Sequence, residues 1–183
     1  MSERAPIGVV VAMRAELRHL LAAVKIERET RQGIWVDEHF TVSGMPVVAV
    51  QSGIGLINAA AATERLINTY QPTAILNFGC AGAHRRDIMP GDVVIGDRVV
   101  HHSALQILPS GEEQFKGSGE EIDGERLAWA ELTADPVLVA TAVDAAKRMT
   151  PEPWPRDLGW PPAIPYRQPV VHLGTVASSD IWT

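Results

Sequence analysis

The 183-residue sequence lacks several features that would assign it to a particular class of protein. Its single cysteine cannot form an internal disulfide, and the apolar run after the N-terminus is too short for a signal or membrane segment. Lysine and arginine are scattered and the formal net charge is -6, so there is no basic surface for phosphodiester backbones. These absences favour a cytoplasmic protein that binds neither nucleic acid nor a membrane.

Signs of a metal or a cofactor are also missing. His101 and His102 are adjacent, so on a strand they would point to opposite faces and could not chelate one ion. Gly53 and Gly55 match part of a dinucleotide-binding fingerprint, but the third glycine is absent and the next strand ends in Asn77 instead of an acidic residue. We therefore expect neither a metal nor a cofactor.

What the sequence does contain is an alternation of strand-like and helix-like segments. Residues 7–12 are a continuous apolar run typical of a buried strand, and apolar residues recur at helical spacing over 14–24. An alanine-rich helix is predicted over 56–70, followed by a strand over 73–78. The pattern predicts an α/β fold, a three-layer sandwich with a mixed, mostly parallel central sheet, in a single domain over 1–183.

The remaining segments are less regular. Three short antiparallel strands are predicted over 26–30, 33–36 and 40–42. Residues 109–124 are rich in glycine, serine and glutamate without a period, which indicates an exposed excursion. Residues 151–169 contain seven of the 13 prolines and are predicted to be irregular, either as a linker or as a loop packed on the body or on a partner subunit.

Three loops that follow apolar strands carry the residues expected of a ligand site. They are residues 12–16, the Ser52-Gly53-Ile54-Gly55 turn and residues 77–82. Strands of an open α/β sheet place such loops at one edge, where small polar ligands bind. Glu16 would face the backbone amides of the two glycine turns, although an acidic residue in the first turn of a helix is also favoured by the helix dipole alone.

Five sequence motifs in this order resemble the purine nucleoside phosphorylase and nucleosidase superfamily. They are Ile7-Gly8-Val9-Val10-Val11-Ala12-Met13-Arg14-Ala15-Glu16, Ser52-Gly53-Ile54-Gly55 with Asn58-Ala59-Ala60, Asn77-Phe78-Gly79-Cys80-Ala81-Gly82, Pro90-Gly91-Asp92-Val93-Val94 and Ser178-Ser179-Asp180. Within the superfamily, the chain is most similar to bacterial 5'-methylthioadenosine/S-adenosylhomocysteine nucleosidases. The resemblance implies a nucleoside phosphorylase-like fold and an enzyme of purine nucleoside metabolism and methionine salvage.

The activity that the resemblance implies is hydrolysis of the N-ribosidic bond of a purine nucleoside, such as 5'-methylthioadenosine or S-adenosylhomocysteine. Glu16 stands where the family keeps the carboxylate that binds and activates the attacking water, and it is the implied catalytic residue. Met13, Ile54 and Gly55 would border the sugar and its 5' substituent. Relatives are dimers or larger, so a homodimer or larger homo-oligomer is also implied.

Five further residues are implied to bind the substrate. Cys80, Ala81 and Gly82 would lie along the base, and Asp180 belongs to the last motif. Trp182 falls where the family places an aromatic ring against the purine, although a terminal tryptophan is often only a core residue. With no base visible near its thiol, Cys80 is interpreted as pocket lining and not as a nucleophile.

Two observations bear on whether water or phosphate is the attacking species. Phosphorolytic relatives carry an arginine where this chain has Asn77, and they grip phosphate from a glycine-rich first loop, whereas this loop reads Ala12-Met13-Arg14. Phosphate needs fixed cations or a nest of amides. Arg14 is available, but an arginine at a helix start is more often solvated. Hydrolysis is therefore favoured, and phosphorolysis is the alternative.

The chain also departs from the family. The family's ribose-binding Met-Glu pair and the aspartate that protonates the purine come after the position of Asp180, on segments for which the sequence, ending at Thr183, has no residues. The expected fold is thus incomplete at its C-terminus. Either the chain is a fragment of a longer enzyme, or it is a degenerate member that serves as a non-catalytic purine-binding or assembly module.

Overall fold

The computed structural model describes residues 4–180, which form two compact units that divide after Ala81. Within the described range, the first unit contains the elements β1 (Ile7–Val11), α1 (Arg14–Ala22), β2 (Ile26–Gln32), β3 (Trp35–Val42), β4 (Met45–Gln51), α2 (Leu56–Tyr70) and β5 (Ala74–Asn77). The second unit contains the elements β6 (Val93–His101), β7 (Leu105–Ile107), β8 (Glu113–Phe115), β9 (Ser118–Ile122), β10 (Glu125–Trp129), β11 (Leu132–Thr133), α3 (Pro136–Ala146) and β12 (Val171–Ser178).

The strands of the first unit form one mixed sheet in the order β2-β3-β4-β1-β5. The strand β1 is parallel to both of its neighbours, β4 and β5, whereas β3 runs antiparallel to β4 and to β2. Helix α2 is the crossover connection between β4 and β5, as parallel strands require. Because parallel strands end at the same edge, the loops that follow β1, β4 and β5 emerge together.

The two helices cover opposite faces of this sheet and give the unit three layers. On one face, α1 packs on a cluster of buried apolar side chains that comprises Val9, Val11, Leu17, Leu21, Phe40, Val47 and Ala49. On the other face, α2 packs on a second cluster that comprises Val10, Val48, Val50, Ala62 and Leu66. Residues of β1 and β4 alternate between the clusters because successive strand side chains point to opposite faces. Both faces of these strands are therefore buried, which explains their continuous apolar runs.

Strand β3 differs from the prediction of two short strands over 33–36 and 40–42. It continues without a break through the charged residues Asp37 and Glu38. The two carboxylates point to opposite faces of the sheet, and each residue is only 1% exposed. Charged residues are almost never fully buried without a partner, and each of these has an arginine from a different helix. The prediction was wrong because those partners are distant in the sequence.

In the second unit, β6 pairs in parallel with β12 and in antiparallel with β11. Two hairpins, β7-β8 and β10-β9, lie between β6 and β11 along the chain. The predicted excursion over 109–124 is therefore partly regular, since it contains β8 and β9. These strands are short and mostly exposed, so no hydrophobic periodicity marks them in the sequence.

Residues 151–169 contain no helix or strand, as their prolines predict. Aromatic side chains nevertheless hold the segment together. The indole nitrogen of Trp154 donates to the carbonyl of Leu158 at 2.7 Å, and the hydroxyl of Tyr166 donates to the carbonyl of Trp154 at 2.9 Å. The rings of Trp160 and Tyr166 pack with 4.8 Å between their centroids. The segment is thus a packed loop of the second unit and not an extended linker.

Candidate active site

The three loops predicted to form a site lie side by side at one edge of the sheet in the first unit. Val11 at the end of β1 is paired with Gln51 at the end of β4, and Val10 is paired with Asn77 at the end of β5. The N–H of Ser52 donates to the carbonyl of Val11 at 2.8 Å, which ties the start of the second loop to the first. Strand register therefore determines where the loops begin.

Glu16 lies among these loops and is 9% exposed. It is the third residue of α1, and its Oε2 accepts a hydrogen bond from the backbone N–H of Met13 at 2.9 Å. Its Oε1 accepts a hydrogen bond from the backbone N–H of Cys80, in the loop after β5, at 2.7 Å. The contact with Met13 is a helix-start interaction, whereas the contact with Cys80 brings the carboxylate to the glycine loop. Two backbone amides thus orient the acid.

Gly79 leaves the space that the carboxylate occupies. A Cβ atom at this position would lie 2.9 Å from Oε1 of Glu16 and 3.3 Å from its carboxyl carbon. These distances are closer than ordinary packing allows, so a larger residue would push the carboxylate away from the amide of Cys80. The motif around Gly79 is recognisable in the sequence, but this particular contact is not.

The turn after β4 is built on two glycines. Gly53 has a φ of 88° and Gly55 a φ of 100°, conformations that residues with side chains rarely adopt. The N–H of Gly53 donates to the carbonyl of Ala12 at 3.1 Å, so this turn is also joined to the loop after β1. Ile54 lies between the glycines with about half of its side chain exposed. The turn therefore presents an apolar side chain at the edge of the sheet.

The predicted substrate-binding residues fall into three groups. The three loops of the first unit contain Met13, Ile54, Gly55, Cys80 and Ala81. The second unit begins at Gly82, and Asp180 follows β12. Trp182 lies outside the described residues. The thiol of Cys80 is free and exposed, so it is accessible at this edge.

A solvated side chain was expected for Arg14 at the start of α1, and the side chain is exposed but also paired. Its Nη1 donates to Oε1 of Glu38 on β3 at 2.5 Å. The Arg14 side chain remains 55% exposed, whereas that of Glu38 is 1% exposed. Sequence reasoning missed Glu38, and the available signal was an acidic residue within an otherwise strand-like segment.

A second buried carboxylate, Asp37, faces α2. Arg65 donates to both oxygens of Asp37, with 2.9 Å between Nη1 and Oδ2, and the hydroxyl of Tyr70 donates to Oδ2 at 2.6 Å. Burial, followed by the hydrogen bond to Asp37, raises the pKa of Tyr70 above its ordinary value. The Arg65 guanidinium also lies over the ring of Trp35, 5.6 Å from its centroid. This cluster joins β3 to α2.

In the second unit, Asp92 of the Pro-Gly-Asp motif has a fully buried side chain. Arg167 donates to both of its oxygens, at 2.7 and 2.5 Å, and Nε2 of His172 lies 2.9 Å from Oδ2. The backbone amides of Met89 and Val170 each donate to it at 2.9 Å. Burial acts to raise the pKa of Asp92, but the hydrogen bonds from Arg167 and the amides outweigh it and hold the pKa well below its ordinary value. The motif is therefore an anchor for the start of β12.

Glu16 lines neither of two cavities formed by the described residues. One, of about 490 Å³, lies in the second unit between α3 and β12. The other, of about 310 Å³, lies beside the turn after β4 and is lined in part by Trp35, Gln51 and Gly53.

Between residues 4 and 180, no group of three or more histidine, cysteine, aspartate or glutamate residues is placed to hold a metal ion. No helix in that range is long and apolar enough to cross a membrane.

Comparison with known families identifies the family to which the chain belongs. The chain matches the Phosphorylase superfamily over residues 6–182. It belongs to that superfamily. The five motifs quoted from the sequence all fall within the matched range, and three of them include the loops after β1, β4 and β5.

Curated relatives within the phosphorylase superfamily match part of the chain. A 5'-methylthioadenosine/S-adenosylhomocysteine nucleosidase of Chromohalobacter salexigens is 41% identical over 103 residues, which are 56% of this chain and 43% of the relative. The nucleosidase of the same name from Shewanella oneidensis is 39% identical over 99 residues, covering 52% of this chain and 41% of the relative. The matches thus span less than half the length of either relative.

Solved structures match nearly the whole chain. The nucleosidase from Neisseria meningitidis in complex with methylthio-immucillin-A has a TM-score of 0.71 at 24% identity, over 97% of this chain and 66% of that one. A futalosine hydrolase mutant of Helicobacter pylori has a TM-score of 0.69 at 19% identity, over 98% of this chain and 70% of that one. At such identities the likeness shows the fold alone. It confirms the α/β, nucleoside phosphorylase-like fold class predicted from the sequence.

Proposed function

We propose that this superfamily member carries the water-activating residue of a purine N-ribosyl hydrolase. Its proposed substrate is a 5'-substituted adenosine such as 5'-methylthioadenosine or S-adenosylhomocysteine. The observation that carries the proposal is the buried carboxylate of Glu16, held by the amides of Met13 and Cys80 where three strands end. The names of the similar nucleosidases support the class of substrate.

The chemistry suits a fixed carboxylate. In the hydrolysis, a water oxygen bonds to the anomeric carbon while the bond from that carbon to the purine nitrogen breaks, and the sugar acquires oxocarbenium character. Glu16 takes a proton from the water as general base, and its negative charge stabilises the developing positive charge on the sugar. Each oxygen of an ionised carboxylate has two lone pairs, so each can accept from a water in addition to its backbone amide. Protonation of the departing purine is a separate task for another acid.

The exposed residues around Glu16 are proposed to contact the substrate. Met13, Ile54 and Gly55 border the sugar and its 5' substituent, and Cys80 and Ala81 lie along the base. Three further substrate residues, Gly82, Asp180 and Trp182, remain predictions from the resemblance. The homodimeric or larger assembly, the cytoplasmic location and the single domain over 1–183 also remain predictions.

Release of adenine from 5'-methylthioadenosine in phosphate-free buffer tests the proposal. We expect Glu16→Gln to lower the rate by about 10²–10⁴, because glutamine has almost the same shape but cannot act as the base. Glu29→Gln is the matched control, since Glu29 lies on β2 and pairs with the exposed Arg31. This control should release adenine at the wild-type rate.

Other outcomes separate the alternatives. Equal rates for wild type and Glu16→Gln would remove the proposed role of this acid. Adenine release that requires added phosphate would mean phosphorolysis instead of hydrolysis. If calorimetry shows binding of 5'-methylthioadenosine but no base is released, the chain is a purine-binding module and not a hydrolase.

A further inference from the structure

Arg14, in the first of the three loops, forms an ion pair with Glu38, and the two side chains differ strongly in exposure. Nη1 of Arg14 donates to Oε1 of Glu38 at 2.5 Å, while 55% of the Arg14 side chain stays exposed. The Glu38 side chain is 1% exposed, and its Oε2 is buried without a hydrogen-bond partner among the described residues. A buried carboxylate oxygen that accepts no hydrogen bond lowers the free energy of unfolding. Stability alone therefore does not account for this pair.

The position of Arg14 suggests what the pair does. Arg14 is the first residue of α1 and Glu16 the third, and side chains two positions apart on a helix do not face each other. A helix N-terminus and an arginine fork are two elements with which proteins bind phosphate. In this protein, both of these anion-binding groups are already paired with carboxylates of the chain itself. Glu16 places its negative charge at the N-terminus of α1, and Glu38 accepts a hydrogen bond from the guanidinium of Arg14.

We infer that Glu38 is a specificity-determining residue that keeps inorganic phosphate away from this edge of the sheet by holding and neutralising Arg14. The inference rests on the proposed hydrolase function and deepens it, since exclusion of phosphate leaves water as the attacking species. An unpaired Arg14 would attract anions to the edge. Glu38 removes this attraction by neutralising the guanidinium.

Glu38→Gln tests the inference, because glutamine keeps the shape of the side chain and removes its charge. Binding of inorganic phosphate is measured by calorimetry at low ionic strength, with folding checked by circular dichroism. We expect Glu38→Gln to bind phosphate about tenfold more tightly than wild type, because a guanidinium without a carboxylate partner forms charge-assisted hydrogen bonds to the anion. The double variant Arg14→Gln/Glu38→Gln should bind phosphate as weakly as wild type.

The control is again Glu29→Gln, which changes the net charge equally at an exposed pair on β2. It should leave phosphate binding unchanged. The inference is overturned if Glu38→Gln gains no more affinity than this control, or if the double variant keeps the gain. Should Glu38→Gln fail to fold, Glu38→Asp draws the carboxylate back by one methylene and is expected to bind phosphate about threefold more tightly. No gain in that variant also overturns the inference.

A second readout separates this inference from the proposed function. Adenine release from 5'-methylthioadenosine is followed with and without phosphate in wild type and in Glu38→Gln. If neither protein releases adenine but the gain in phosphate affinity appears, the hydrolase proposal fails and the exclusion of phosphate by Glu38 stands. If wild type releases adenine and the affinity gain is absent, the hydrolase proposal stands and the role of Glu38 fails.

Discussion

Replacing Gly79 by alanine tests the geometry of the candidate site directly. The added Cβ would lie 2.9 Å from Oε1 of Glu16, which is too close for both atoms to keep their positions. Gly79 is not among the glycines with positive φ, so alanine introduces no backbone strain. The expected structural effect is therefore confined to the carboxylate, which must move away from the amide of Cys80.

The size of the effect follows from two opposing contributions. A hydrogen bond to a charged group contributes about 1.5–3 kcal/mol to stability, and the bond between Cys80 N–H and Glu16 would be lost or weakened. Alanine in place of glycine restricts the unfolded chain and returns about 0.4–1 kcal/mol. We expect Gly79→Ala to lower the free energy of unfolding by about 0.5–2.5 kcal/mol. Adenine release should fall with it, since the proposed base is displaced.

Urea unfolding measures the change in two backgrounds. In Glu16→Ala there is no carboxylate for the new methyl group to meet, so Gly79→Ala should be neutral or stabilising by about 0.4–1 kcal/mol. The sign of the effect should therefore differ between the two backgrounds. An equal loss of stability in both would show that the clash with Glu16 is not the cause and would refute this reasoning.

Two further predictions concern the buried carboxylates elsewhere in the chain. Tyr70→Phe removes one donor to the buried Asp37 and should lower the free energy of unfolding by about 1–3 kcal/mol, and an unchanged urea midpoint would contradict this. Asp92 has a pKa below its ordinary value, so its contribution to stability is present above about pH 4 and is lost progressively as the pH falls below that. The stability difference between wild type and Asp92→Asn should therefore shrink between about pH 5 and about pH 2, as followed by tryptophan fluorescence. A difference that stays constant over this range would count against the argument.

Elements with strong local signals are predictable from the sequence. Helix α2 is an example, because an alanine-rich stretch follows Gly55 and stops before Gln71-Pro72, and the observed bounds are Leu56–Tyr70. The edge that contains Glu16 is also predictable, since parallel strands of an α/β sheet bring their following loops together. These inferences need only periodicity, turn residues and the general geometry of sheets.

Features that depend on distant partners are not predictable in this way. The strand β3 looks interrupted at Asp37 because burial of a charge is unfavourable by itself, and its partner Arg65 is 28 residues further along. Glu38 likewise depends on Arg14, which is 24 residues earlier. The contact between Gly79 and Glu16 requires the register of β5 against β1 and the side-chain conformation of the acid. Neither can be inferred from composition or spacing.

The adjacent carboxylates Asp37 and Glu38 also discriminate between alternative alignments of β3. A shift of the strand by one residue in one direction would place Val36 opposite the arginine of α2, and a shift in the other direction would place His39 opposite the arginine of α1. Either misalignment would leave a guanidinium without its counterion. The two neighbouring acids therefore specify the register of β3, which a purely aliphatic strand would leave less well determined.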